Sequence, residues 1–222
     1  MALRARFYER LLLGAKKYPE WAHQKQWAEE FASRENYEKV LDYWKRYRHL
    51  DEIVRITTLS RQSRILDVGC DISTVLHYIP GHRVGLDPLA RRYRRVHEYP
   101  DGISVVSGSA QDIPFPDASF DVVFCTNALD HCASPASAVA EMRRVLKPAG
   151  FVVLTVEVFS APSEARNAAH PNSFTRESLL DLLQGIEYKL CKESPWYGLR
   201  EYCLGRSPTQ ERELVFVGQT PS

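Results

Sequence analysis

The spacing of apolar residues changes once along this chain, near residue 60. Before that point they recur every three or four positions. Tyr37, Val40, Leu41, Trp44, Tyr47 and Leu50 fall on one face of a single helix. Ser33 stands where it would cap that helix, and Asn36 occupies the capping-box position. Pro19 separates an initial helix from another over 20–33, and no stretch of the first 58 residues reads as a strand. After residue 60, short β-branched runs alternate with helical patterns. Residues 65–68, 83–87, 103–107, 120–126 and 151–158 read as strands, and 186–191 and 213–217 as closing strands.

The segments between the strands are expected as follows. Residues 88–99 form a helix. Residues 111–119 form a loop held extended by Pro114 and Pro116. Residues 135–146 form an amphipathic helix with Val139, Met142, Val145 and Leu146 inward, ended by Pro148 and Gly150. Residues 173–183 form another, with Thr175 as its N-cap. Such alternation predicts an α/β fold, doubly wound, with a mostly parallel sheet and helices on both faces. The expected division is a helical extension or lid over 1–58 and the main domain over 59–222. The aromatic face of Tyr37 and Trp44 serves either packing or a lid, and packing is the expectation.

Composition narrows the class. The chain has 222 residues, 44% hydrophobic and 26% charged, with a formal net charge of +1. That is an ordinary soluble composition, without the positive excess of a nucleic-acid coat. Cys70, Cys125, Cys132, Cys191 and Cys203 show no C-x-x-C spacing and read as reduced thiols of a cytoplasmic protein. No apolar run spans a bilayer, and the N-terminus has no signal-peptide core. Arg91, Arg92, Arg94 and Arg95 read as a solvated face, and Trp21, Trp27 and Trp196-Tyr197 as a possible interface.

Candidate chemistry starts at the first strand. Asp67 and Gly69 sit at its end, where a chain turns tightly and brings backbone near a ligand. The second strand ends in Asp87, which can accept from both hydroxyls of a ribose. A dinucleotide site would want G-x-G-x-x-G; here Asp71 stands at the second glycine position, which disfavours a nicotinamide oxidoreductase.

With the strands in place, four segments together resemble the class I S-adenosylmethionine-dependent methyltransferases. The likeness is greatest to the small-molecule branch called methyltransferase type 11 or UbiE-like. The segments are Ile65-Leu-Asp-Val-Gly-Cys70, Val84-Gly-Leu-Asp87, Gly108-Ser-Ala-Gln-Asp-Ile-Pro-Phe-Pro-Asp-Ala-Ser-Phe-Asp121 and Arg144-Val-Leu-Lys-Pro-Ala-Gly150. The resemblance implies a seven-stranded Rossmann-like sheet with an antiparallel last strand. It implies S-adenosylmethionine as cofactor and a small-molecule substrate. Asp67 and Gly69 would border the methionyl end, and Asp87 the ribose. Ser109 and Ala110 would flank the adenine, and Asn127 would lie near the sulfonium. Ser109 replaces the usual Asp, and Asp71 and Ser73 replace small residues of the cofactor loop. Asp71 tolerates a left-handed turn; its carboxylate repels one end of the cofactor and attracts the other. The helix after this loop should be about two turns long.

An activated methyl group needs an aligned acceptor, and a base only where the acceptor must lose a proton. His131, after the fourth strand, and His170, after the fifth, are the candidates. Asp130 points away from His131 if its loop is extended, so no dyad is expected. No metal site is expected from Asp130, His131 and His170, because no close ligand pair anchors one. The competing reading is a methyltransferase fold that has lost cofactor binding and acts as a partner or regulator. A nucleic-acid methyltransferase is disfavoured, since no N/D-P-P-Y/F motif is present.

Overall fold

The computed structural model describes residues 34–72, 74–95, 97–161, 170–195, 202 and 212–222. The expected helices before residue 34, Ser73, Trp196-Tyr197 and Cys203 lie outside the described residues.

Seven strands form one sheet, in the order β3-β2-β1-β4-β5-β7-β6. They are β1 (Arg64–Val68), β2 (His82–Leu86), β3 (Ile103–Val106), β4 (Phe120–Thr126), β5 (Leu146–Val158), β6 (Glu187–Pro195) and β7 (Arg212–Gln219). Strands β1 to β5 pair in parallel, and β7 runs antiparallel between β5 and β6. The expected seven-stranded α/β sheet is therefore observed. Its order reverses beside β1, which leaves a crevice at the carboxyl ends of β1 and β4.

Successive residues of β1 serve opposite faces. Leu66 and Val68 join α4 (Pro135–Val145) and α5 (Arg176–Leu182) through Val139, Met142, Val145 and Leu179. Ile65 joins Trp44, Leu50 and Ile53 of α1 (Arg34–Lys45) and α2 (Leu50–Thr57) on the other face. Each fully buried aliphatic side chain contributes about 1.5–3 kcal/mol, so both faces are held by burial. Trp44 is packed as expected. Tyr37 instead packs beside Ile72 in the loop after β1, and its hydroxyl meets His77 Nε2 at 2.8 Å.

Four element boundaries differ from expectation. The single helix through Leu50 is two, because Tyr47 and Leu50 make i→i+3 bonds to Trp44 and Tyr47. That tight turn preserves the apolar spacing, so periodicity does not reveal it. The helix after Gly69 is one 3₁₀ turn, Val75–His77, with Thr74 Oγ1 accepting from Leu76 N. The helix expected over 88–99 is only α3 (Ala90–Tyr93); Asp87 takes the Leu89 N–H and fixes a turn before it. Finally, α4 ends at Val145 and β5 starts at Leu146, before Pro148. Lys147 precedes a proline and is biased to extended backbone, so the strand starts early and bulges opposite β4. Thr175 caps α5 as expected, in a reciprocal capping box with Ser178.

Candidate active site

Every residue expected in the site lies at or just beyond the carboxyl end of a parallel strand. Asp67 lies within β1, beside its last residue, Gly69 and Asp71 follow that strand, Asp87 follows β2, and Ser109 and Ala110 follow β3. Asn127 and His131 follow β4, and His170 follows β5.

The β1 and β2 end is built around carboxylates. Gly69 has φ +76°, and its N–H bonds Leu86 O at 2.7 Å, tying the turn to β2. A Cβ there would lie 2.3 Å from the Ala128 Cβ, so glycine is required by both backbone and space. Asp71 also adopts positive φ, +48°, as its tolerance for left-handed backbone allows. Its N–H donates to Asp87 Oδ2 at 3.2 Å, and Leu89 N–H donates to Asp87 Oδ1 at 2.7 Å. Thr74 Oγ1 donates to Asp67 Oδ2 at 2.6 Å, while Asp67 Oδ1 is buried without a hydrogen bond. Tyr99 fastens the loop by donating to Asp71 O at 2.8 Å.

These acids crowd one another. Burial pushes the Asp67 and Asp87 carboxyls up to about 7, and the Asp71 charge adds to the rise in both. Three neighbouring carboxylates with an orphaned buried oxygen suit a ligand carrying positive charge and hydroxyl donors. S-adenosylmethionine has a sulfonium, an α-ammonium and a ribose, so the residues fit it. A pyrophosphate would meet like charge here.

The β4 and β5 end is built from two loops. Asn127, exposed and at φ +52°, bonds Thr155 O through its N–H at 2.8 Å. Leu129–His131 is a 3₁₀ turn, so the condition of an extended loop, on which Asp130 would point away from His131, is not met. The turn buries Asp130, and His170 Nδ1 lies 2.6 Å from its Oδ2. His131 Nε2 is 3.7 Å from the same oxygen, and the two imidazole centroids are 4.6 Å apart. The ligating atoms of all three lie within 4.8 Å of one another, so the expectation that they hold no close pair is also corrected. Asn172 Nδ2 donates to Asp130 O at 3.0 Å and Cys132 O at 2.7 Å, clamping the second loop on the first. Burial pushes Asp130 up, but the hydrogen bond from His170 and the charges of both histidines hold it below the usual carboxylate range.

The two ends adjoin. The Gly69 turn abuts Ala128, and the charge of His131 acts on Asp87. Ser109 is turned to its own loop, where its Oγ accepts from Gln111 N at 3.2 Å. Sequence reasoning weighed Asp130 and left it out of the candidate site, and gave no role to Thr74 or Asn172. For Asp130 the only signal was its adjacency to His131.

Comparison with known proteins finds the same fold elsewhere. Residues 66–154 match the family model described as methyltransferase domain. An uncharacterized methyltransferase of Schizosaccharomyces pombe is 33% identical over 110 residues, covering 42% of this chain and 40% of that protein. The chain thus spans well under half of that relative. Among solved structures, an S-adenosylmethionine-dependent methyltransferase of Mesorhizobium loti superposes with a TM-score of 0.55 at 18% identity, covering 77% of this chain and 97% of the other. The [4+2]-cyclase SpnF superposes with a TM-score of 0.59 at 18% identity, covering 77% and 79%. The chain carries the fold of the class I S-adenosylmethionine-dependent methyltransferase superfamily. Among the described residues, no helix is long and apolar enough to cross a membrane.

Proposed function

We propose that this protein transfers a methyl group from S-adenosylmethionine to oxygen or nitrogen of a small-molecule acceptor, a sugar or lipid-linked metabolite, in the cytoplasm. The observation that carries the reading is the acid cluster at the β1 and β2 ends, set beside a histidine pair at the β4 and β5 ends. Asp87 would accept from the ribose hydroxyls through the second lone pairs of its anchored oxygens. Asp67 and Gly69 would border the methionyl end, Ser109 and Ala110 the adenine, and Asn127 the sulfonium. Bound there, the cofactor supplies a methyl group already activated for displacement. The protein's task is to orient the acceptor, exclude water and take up any proton, the last through His131 or His170.

A second reading is a binding protein that has kept the fold without productive cofactor binding. It is favoured by the Asp71 charge crowding Asp87, by the Ser109 hydroxyl being engaged in its own loop, and by a cyclase sharing the fold. Calorimetric titration with S-adenosylmethionine, S-adenosylhomocysteine and NAD separates them. Micromolar binding of the first two and none of NAD is expected; no binding of either establishes the second reading.

A further inference from the structure

We infer that Tyr37 and His77 are positioning residues for cofactor binding: through them helix α1 braces the loop after β1 and fixes the cofactor site indirectly. The effect on the ligand rests on the cofactor reading above; the brace itself does not.

The loop needs a brace because of what stands in it. Asp71 holds φ +48°, a left-handed conformation that is costly for a residue with a side chain. Two arms reach this loop from Tyr37. In the first, the Tyr37 hydroxyl meets His77 Nε2 at 2.8 Å, and the His77 ring meets the Ile72 backbone. Burial pushes the His77 imidazole down to about 4, so the ring is neutral around pH 7 and can accept from the hydroxyl. In the second, the Tyr37 ring lies 4.6 Å from that of His97, and His97 lies 4.8 Å, edge to face, from Tyr99. The Tyr99 hydroxyl then donates to Asp71 O at 2.8 Å. The two arms end on consecutive residues, Ile72 and Asp71. Apolar packing adds to both, since Val40 of α1 and Ile72 share a buried cluster with Leu89 and Tyr93.

What the brace holds is a donor. The Asp71 N–H is one of two backbone groups that anchor the Asp87 carboxyl, at 3.2 Å; Leu89 N–H is the other. Loosening either arm lets Asp71 relax toward ordinary backbone, and its N–H then leaves Asp87. The carboxyl that would take the ribose hydroxyls keeps a single anchor and is less well aimed. The loss falls on cofactor affinity, although Tyr37 stands on a helix that precedes the whole sheet in sequence.

The test uses the whole chain. Tyr37→Phe keeps the ring and removes the hydroxyl. Hydrogen–deuterium exchange should rise over residues 69–77 and stay unchanged in β4. Calorimetry with S-adenosylhomocysteine should show affinity lowered about three- to tenfold, the share of one net hydrogen bond, with little change in the melting temperature of the apo protein. His77→Phe should reproduce both results. His77→Gln, which keeps an acceptor for the Tyr37 hydroxyl, should restore most of the affinity. Because both arms hold one loop, Tyr37→Phe with Tyr99→Phe should cost less than the product of the single losses. Unchanged exchange over 69–77 in Tyr37→Phe would overturn the brace. Unchanged affinity, or His77→Gln no better than His77→Phe, would overturn the positioning role. Failure of the unaltered protein to bind S-adenosylhomocysteine would strike the cofactor reading and the positioning role with it, and the exchange result would still decide the brace.

Discussion

The two ends of the crevice are made differently. At β1 and β2, three acids and a glycine lie within 21 residues of sequence, and each is placed by its own strand or the turn after it. At β4 and β5, Asp130 and His170 meet across 40 residues, and neither strand alone aims one at the other. The first end is a backbone device: N–H groups of Asp71 and Leu89 hold Asp87, and Gly69 fits because it has no side chain. The second is a side-chain device fastened by Asn172. Damage to the first should therefore appear in binding and stability, and damage to the second in turnover.

The sharpest break in this comparison is His170→Gln. We expect kcat to fall on the order of 10²–10⁴-fold with cofactor affinity retained, measured by single-turnover methyl transfer and calorimetry. Equal losses in both would merge the two ends into one. Next is Gly69→Val, which forces a branched side chain into positive φ and onto Ala128. Thermal unfolding should show a loss of roughly 2–4 kcal/mol. Asp87→Ala should weaken S-adenosylhomocysteine binding by roughly 1–3 kcal/mol through lost charge-assisted hydrogen bonds. An unchanged affinity would remove the ribose assignment.

A pH titration sharpens the contrast further. Asp67, Asp87 and Glu213 all have folded-state values raised to about 7, chiefly by burial. The folded apo protein therefore holds protons that the unfolded chain releases near 4. The stability these groups contribute is complete below about pH 4 and is lost as pH rises through 7. The melting temperature of the apo protein should fall across that window, and Asp87→Asn should flatten the fall. Affinity for S-adenosylmethionine should run the other way, rising about tenfold between pH 6 and 8 for each acid that must ionise. The smallest effect is expected from Asp71→Asn. Removing its charge should move the midpoint of that affinity curve to lower pH by less than about one unit.

How far the chain could be read follows the same division. Ile65–Val68, Phe120–Thr126 and the Thr175 cap were legible because each is fixed by local pattern. Asp67, Gly69 and Asp87 were legible because a strand followed by a turn places its own end residues. The break at residues 46–49 was hidden, since a 3₁₀ turn keeps apolar residues on one face. The absence of an Asp130–His131 hydrogen bond was legible, but the pairing of Asp130 with His170, 40 residues on, was not, because local pattern does not tell a 3₁₀ turn from an extended loop. His170 lies on another strand's loop, and Asn172, which holds the loops together, looks like any other polar loop residue.

The measurement that tests the account most directly is a crystal structure of the protein with S-adenosylhomocysteine. The account predicts ribose hydroxyls on Asp87, the methionyl end against Asp67 and Gly69, and the sulfur facing the side of the crevice that holds His131 and His170. A ligand seated elsewhere, or one whose sulfur is directed away from both histidines, would contradict it.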